Sequence, residues 1–290
     1  MRLPFSHHLV ALLLVVADVV IRGARIRLML PVPLWRAMAI NTCGDALAAL
    51  TPARLGGEPI RFVGFQRSGA SAAQILAAFA TEIWVDGVLL LASAALLAVG
   101  FASAGRDWFA RLVVLARAPA TWWITAAVLL AAAVSAWAAV RYRRHWPAAL
   151  LHPLRDARRL MRTMPPLVVV GVMGLTLASM AARTAVLPVL ASGVPGTSLG
   201  GLITGSFALV YGQVILPTPA GAGAVELGFI AGFAGALRGG EVARLLVVWR
   251  FYTLALGVLA GAAVLARWGW LRRATVTLPA SPAPTPSLPS

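Results

Sequence analysis

Long apolar runs alternate along the chain with short clusters of arginine. The runs are continuous Ala/Leu/Val stretches, without the two-residue alternation that a barrel strand with a polar lumen needs. A helix needs roughly 20 apolar residues to cross about 30 Å of hydrocarbon. The pattern predicts such helices over 72–102, 119–140, 165–190, 199–216 and 245–266. It also predicts a shorter helix over 9–21 and amphipathic segments over 34–50 and 225–237. The expected fold is all-α, a polytopic integral membrane protein.

Composition agrees with this reading. Mean hydropathy is +0.85 and only 12% of the residues are charged, where soluble domains carry about 25%. The net charge of +16 comes from 25 basic residues, all of them arginine. They sit mostly in short loops beside apolar segments, where topology determinants belong, so no nucleic-acid partner is expected. A single cysteine, Cys43, excludes an intramolecular disulfide framework, and the four histidines lie at segment ends or in one basic loop. Neither a cofactor nor a metal site is expected. The N-terminal run is read as a retained helix because no small-residue cleavage site follows it. One transmembrane domain over 1–273 and a disordered Pro/Ser/Ala-rich tail over 274–290 account for the sequence.

Arginine density sets the expected sides of the membrane. The segments 22–36, 141–164 and 267–273 are arginine-rich and are placed in the cytoplasm, whereas 191–200 is uncharged and is placed outside. The segment 34–67 then begins and ends near the cytoplasm, and 199–240 begins and ends outside. About five full crossings plus two re-entrant hairpins entering from opposite faces satisfy these assignments, in a multi-pass protein of the inner membrane.

Each hairpin contains a break. "TPARLGGE" runs from Thr51 to Glu58 and "TPAGAGAVE" from Thr218 to Glu226, and the two Thr-Pro pairs are 167 residues apart. The same offset carries Glu82 and Asp86 onto 249–253, beside Arg250. This suggests an inverted internal repeat, with one copy over about 34–102 and the other over about 199–268, a design that exposes one midplane site alternately to each side. Proline stops a helix and glycine permits positive φ, so the turns at Gly56, Gly57, Gly221 and Gly223 would free backbone amides toward an anion. Arg54 and Arg61 add fixed charge and forked donors suited to phosphate.

Ionisable groups at membrane depth cost at least about 2.5–3.5 kcal/mol and need a partner or a wet cavity. Glu82 and Asp86 lie one turn apart on one helical face. Arg250, Arg183 and Arg54 are the expected neutralising partners. Glu58 and Glu226 close their glycine turns, Asn41, Asp45 and Gln213 are expected to line the same cavity, and Asp18 is expected to reach the interface from the end of a short first helix.

With "TEIWVD" at 81–86 and "VVWRFYTLALG" at 248–257, the two glycine motifs resemble the lysylphosphatidylglycerol synthase transmembrane-region family, also called flippase-like, from about residue 10 to 268. Some members are fused to a soluble aminoacyl-transferase domain, and there the membrane part is linked to moving the lipid between leaflets. No such domain follows here, so the resemblance implies lipid translocation without aminoacyl transfer. The family often has Glu-Arg before the aspartate of the third segment, and Ile83 stands in place of that arginine.

The expected function is therefore transport of a phosphate-bearing lipid, whether a phospholipid, an aminoacylated phospholipid or a polyprenyl-linked lipid, through a polar groove. Arg54, Gly56, Gly57, Glu58, Arg61, Thr218, Gly221, Gly223, Glu226 and Arg250 would meet the substrate, while Asn41, Asp45, Glu82, Asp86, Arg183 and Gln213 would gate or couple. The partners are the lipid substrate and the bilayer, and a homo-oligomer is compatible with such a chain. Two alternatives remain open: a membrane enzyme acting on polyprenyl (pyro)phosphate, with Glu82 and Asp86 holding magnesium, and a carrier of ions or small solutes.

Overall fold

A computed structural model describes residues 4–51, 54–100, 148–213 and 218–267, together with the isolated positions 130, 134, 137 and 141. The span expected over 119–140 falls largely outside these residues, and the 274–290 tail falls wholly outside them. The described residues are helical, with no strand among them. The elements are α1 (Phe5–Met29), α2 (Leu34–Leu50), α3 (Gly57–Arg67), α4 (Ala72–Gly100), α5 (Ala148–Arg162), α6 (Pro166–Leu190), α7 (Leu199–Gly212), α8 (Ala224–Gly232), α9 (Gly239–Arg250) and α10 (Leu256–Arg267). A π-helical turn, Phe251–Ala255, joins α9 to α10 without a break in direction.

Three described helices are long and apolar enough to cross a membrane: Ala72–Gly100, Pro166–Leu190 and the continuous Gly239–Arg267. The first helix departs from its expectation. It continues past residue 21 to Met29 and carries Asp18, Arg22 and Arg25 within its length. Each of these charges meets an opposite charge on the same or a neighbouring helix, which removes the hydropathic reason for ending the helix early. Helix α7 covers Leu199–Gly212 of the span expected over 199–216, whose last residues, from 214, fall outside the described residues.

The 167-residue offset extends beyond the two motifs. Helix α3 begins at 57 and α8 at 224, and α4 begins at 72 and α9 at 239. Two apolar clusters flank the charged residues. In one, Ile26, Ile40, Phe65 and Ile75 pack together, with Phe65 and Phe79 in edge contact at 6.3 Å. In the other, Leu187, Leu190, Phe229, Phe233 and Trp249 pack together, with the Phe229 ring tilted against Phe233 at 4.9 Å and Trp249 at 5.4 Å. Helices α1 and α6 pack against each other between these cores.

Close backbone approach fixes how the helices meet around the site. An added Cβ on Gly261 of α10 would lie 2.6 Å from the Thr42 carbonyl oxygen of α2, so only glycine allows this crossing. Across α2 and α3, a Cβ on Gly44 would lie 2.5 Å from the Arg61 side chain. The missing side chain is what lets the Arg61 stem cross α2 toward α4.

A cationic cavity beside a buried charge network

Both glycine turns bend the chain through left-handed backbone. Arg54 has φ 59° and Gly221, its counterpart at the 167-residue offset, has φ 69°; Ala220 is also left-handed at φ 49°. For a residue with a Cβ this conformation costs about 1–2 kcal/mol, and such residues concentrate at functional sites. The turn amides, however, bond within their own turns. Gly56 N–H donates to Thr51 Oγ1 at 2.9 Å, Gly221 N–H to the Thr218 carbonyl at 3.1 Å, and Gly223 N–H to Glu226 Oε2 at 2.6 Å. A concavity of free amides was expected; three of the four glycine amides named for it are instead engaged within their own turns.

Helix α9 anchors the second turn. Arg250 Nε donates to Glu226 Oε1 at 2.7 Å, a second guanidinium nitrogen lies 2.5 Å from the same oxygen, and Nη1 donates to the Ala220 carbonyl at 3.2 Å. Glu226 is thus bound to Arg250 on one oxygen and to its own turn on the other. Thr218 precedes the short 3-10 segment Pro219–Gly221 that opens this turn, with its carbonyl and not its hydroxyl accepting from the segment.

The acidic pair of α4 has partners other than those expected. Arg25 of α1 lies between the two carboxylates, 2.6 Å from Glu82 Oε1 and 2.6 Å from Asp86 Oδ1, and also donates to Thr176 Oγ1 of α6 at 3.0 Å. Arg61 approaches Glu82 Oε2 at 2.5 Å, Glu58 at 2.8 Å and Asn41 Oδ1 at 2.9 Å, and lies 4.7 Å above the Phe79 ring. Glu82 is only 4% exposed. Arg250, Arg183 and Arg54 hold neither carboxylate. Ile83 is 72% exposed and faces outward, so an arginine at that position would point away from this network. Arg25, from a different helix, supplies the guanidinium beside Glu82 and Asp86.

Asp18 is buried and does not reach an interface. It accepts from Ser179 at 2.5 Å and from Arg183 Nε at 2.9 Å, and Arg22 Nε lies 3.6 Å away. Arg22 forms a two-pronged pair with Asp45, with one contact at 3.0 Å, and Asn41 Nδ2 donates to the Arg22 carbonyl at 3.3 Å. Arg22, Arg25 and Asp18 were missed as site residues. Their spacing on α1 was the available signal, because Asp18, Arg22 and Arg25 recur at four and three residues and so share one helical face.

A cavity of about 120 Å³ lies between α1, α2, α6, α7 and the α9–α10 helix. Asp45, Arg54, Arg183, Gln213 and Arg250 line it, joined by Asp18, Arg22 and Trp249. Tyr252, Thr253 and Leu254, all within the π-helical turn, line it consecutively. Asn41, Glu58, Arg61, Glu82 and Asp86 form the adjoining network and do not line the cavity; neither do Gly56, Gly57, Thr218, Gly221, Gly223 or Glu226. Gln213 donates to the Val210 carbonyl at 2.7 Å, and its side-chain oxygen has no partner among the described residues.

Arg54 is the exceptional lining residue. It is half-buried and makes no ion pair among the described residues, and Arg183 lines the same cavity. Such a group attracts an anion, and its forked donors suit phosphate or carboxylate oxygens.

No curated protein and no solved structure matches the chain. The family model for the lysylphosphatidylglycerol synthase TM region matches residues 1–261, and the chain belongs to that family.

Proposed function

We propose that the protein moves a phosphate-bearing lipid between the leaflets of the inner membrane. The observation that carries this reading is Arg54, a cation without a carboxylate partner among the described residues, held in strained left-handed backbone at the edge of a cavity among apolar helices. The lipid phosphate would meet Arg54 and Arg250, with its tails left in the bilayer. The glycine turns would act by shaping the backbone that presents these arginines. Asp45, Arg183 and Gln213 would line the path, while Asn41, Glu58, Arg61, Glu82 and Asp86 would tie α2, α3 and α4 to α1 and hold one arrangement of the gate. The shared 167-residue register supports an internal duplication, and in this reading the copies are inverted and open the site to each side in turn.

The enzymatic alternative asks Glu82 and Asp86 to hold magnesium. Both are bound by Arg25, and Glu82 also by Arg61, so a metal would have to displace guanidinium groups. The ion pairs therefore favour transport.

Proteoliposomes holding fluorescent lipid analogues, quenched from outside by dithionite, test the proposal. Faster loss of inner-leaflet fluorescence than in protein-free liposomes is the expected result. Phosphate release from a polyprenyl pyrophosphate, with no lipid movement, would favour the enzyme.

A further inference from the structure

We propose that α5 lies along the membrane surface and holds anionic lipid headgroups through Arg155, Arg158, Arg159 and Arg162. This docking face is separate from the cavity and does not depend on the transport reading.

Counted from Arg155, the other three arginines recur at three, four and seven residues, so all four share one face of the helix. Leu154, Ala157, Leu160 and Met161 occupy the other side. Helix α5 packs against α4, and Ala157 is buried, whereas all four arginines are exposed. None of the four makes an ion pair among the described residues, and Asp156, the single acid of the helix, is itself exposed. Guanidinium groups left without carboxylates cannot face hydrocarbon, so this side of α5 meets headgroups or water.

The surroundings favour headgroups. Three residues, 163–165, join Arg162 to α6, where Leu167 is 82% exposed and Val170 is exposed too, so a surface suited to acyl chains begins five residues after the last arginine. Leu154 and Leu160, both exposed, lie on either side of the arginine face. The level of the headgroups is marked independently by Trp35, an exposed indole with the Arg36 guanidinium 5.1 Å from its ring centre. Packing places these features at one end of the molecule. An added Cβ on Gly171 of α6 would lie 3.1 Å from the Leu28 side chain of α1, and Leu30, Val32 and Ala37, around Trp35, pack in one cluster.

An anionic leaflet matches both parts of this face. Arginine forks take phosphate oxygens, and the flanking leucines enter between the chains below them. A soluble acidic partner would match the charge and leave the leucines in water. The positive-inside rule asks only that arginines occur in this segment; it does not ask that they share one face of a helix packed on its other side.

The test uses the full chain with a fluorophore on His152→Cys, an exposed position beside the arginine face, in a Cys43→Ala background. The protein is reconstituted in vesicles of phosphatidylcholine alone or mixed with phosphatidylglycerol, each carrying a headgroup-spin-labelled lipid as quencher. Quenching should be at least about twofold stronger with phosphatidylglycerol and should fall back in high salt. Replacing the four arginines by glutamine should remove the difference and replacing them by lysine should keep it, with thermal unfolding confirming that both variants are folded. Equal quenching in the two kinds of vesicle, or a glutamine variant that keeps the difference, would overturn the proposal. Self-quenching of the label that grows with protein density in phosphatidylcholine would give the face to a second copy of the chain and overturn it as well.

Discussion

Arg25 on α1 and Glu82 on α4, 57 positions apart in sequence, meet at 2.6 Å in a part of the protein where both side chains are nearly inaccessible. Removing one partner strands the other charge in a low-dielectric interior, which typically costs 3–5 kcal/mol. Arg25→Ala takes the guanidinium from Asp86 and one of two from Glu82, which keeps Arg61, so it should lower stability by less than that limit in detergent unfolding; Arg61→Ala should cost less still because Arg25 continues to bridge Glu82 and Asp86. A smaller loss for Arg25→Ala than for Arg61→Ala would show that the network is centred elsewhere.

Gly261 sets the spacing between α10 and α2. With a Cβ 2.6 Å from a backbone oxygen, no side-chain rotation can relieve Gly261→Val, so overpacking of about 1–3 kcal/mol is expected. Gly87 in α4 has nothing within 4 Å of an added Cβ, and Gly87→Ala should stabilise by up to about 1 kcal/mol through helix propensity. Thermal melting of the two variants, compared with wild type, checks both signs.

Backbone strain at the second turn is open to direct measurement. Ala220 holds φ 49°, a region glycine occupies without a Cβ penalty. Ala220→Gly should raise stability by about 1 kcal/mol. A drop of that size would mean the Ala220 methyl, buried in the turn, contributes more than the strain it causes.

Arg250 and Glu226 should behave as a coupled pair. A double-mutant cycle built from Arg250→Ala and Glu226→Ala should give an interaction energy within the usual range of about 0.5–3 kcal/mol for contacting residues. Additive effects would show that the contact bears no energy and that Arg250 is free for another anion.

Much of the fold was legible in the sequence because hydropathy is a local property. The continuous apolar runs at 72–102 and 165–190 predicted helices that the described residues show over Ala72–Gly100 and Pro166–Leu190, and the paired Thr-Pro breaks located both turns. Pairing between helices is not local. Arg22 and Arg25 read as loop arginines obeying the positive-inside rule, since a single-residue scale assigns each its full insertion cost and cannot see Asp45, Glu82 and Asp86 waiting on other helices. The same blindness made Asp18 an interface residue and sent Arg250 to the wrong carboxylates. In the cavity, Arg54 was found from its motif. Arg61 stood out on the same grounds, but Gly44 lets its stem cross α2 to Glu82, and that crossing is visible only in three dimensions.

The central claim is that the unpaired cation at Arg54 receives the lipid phosphate. Its most direct test is dithionite-quenched lipid movement in proteoliposomes holding wild type, Arg54→Ala or Arg250→Ala, each matched for folded protein by thermal unfolding. Loss of most of the wild-type rate in Arg54→Ala, with a comparable loss in Arg250→Ala, is the expected result. A folded Arg54→Ala protein that moves an anionic lipid at the wild-type rate would contradict the claim.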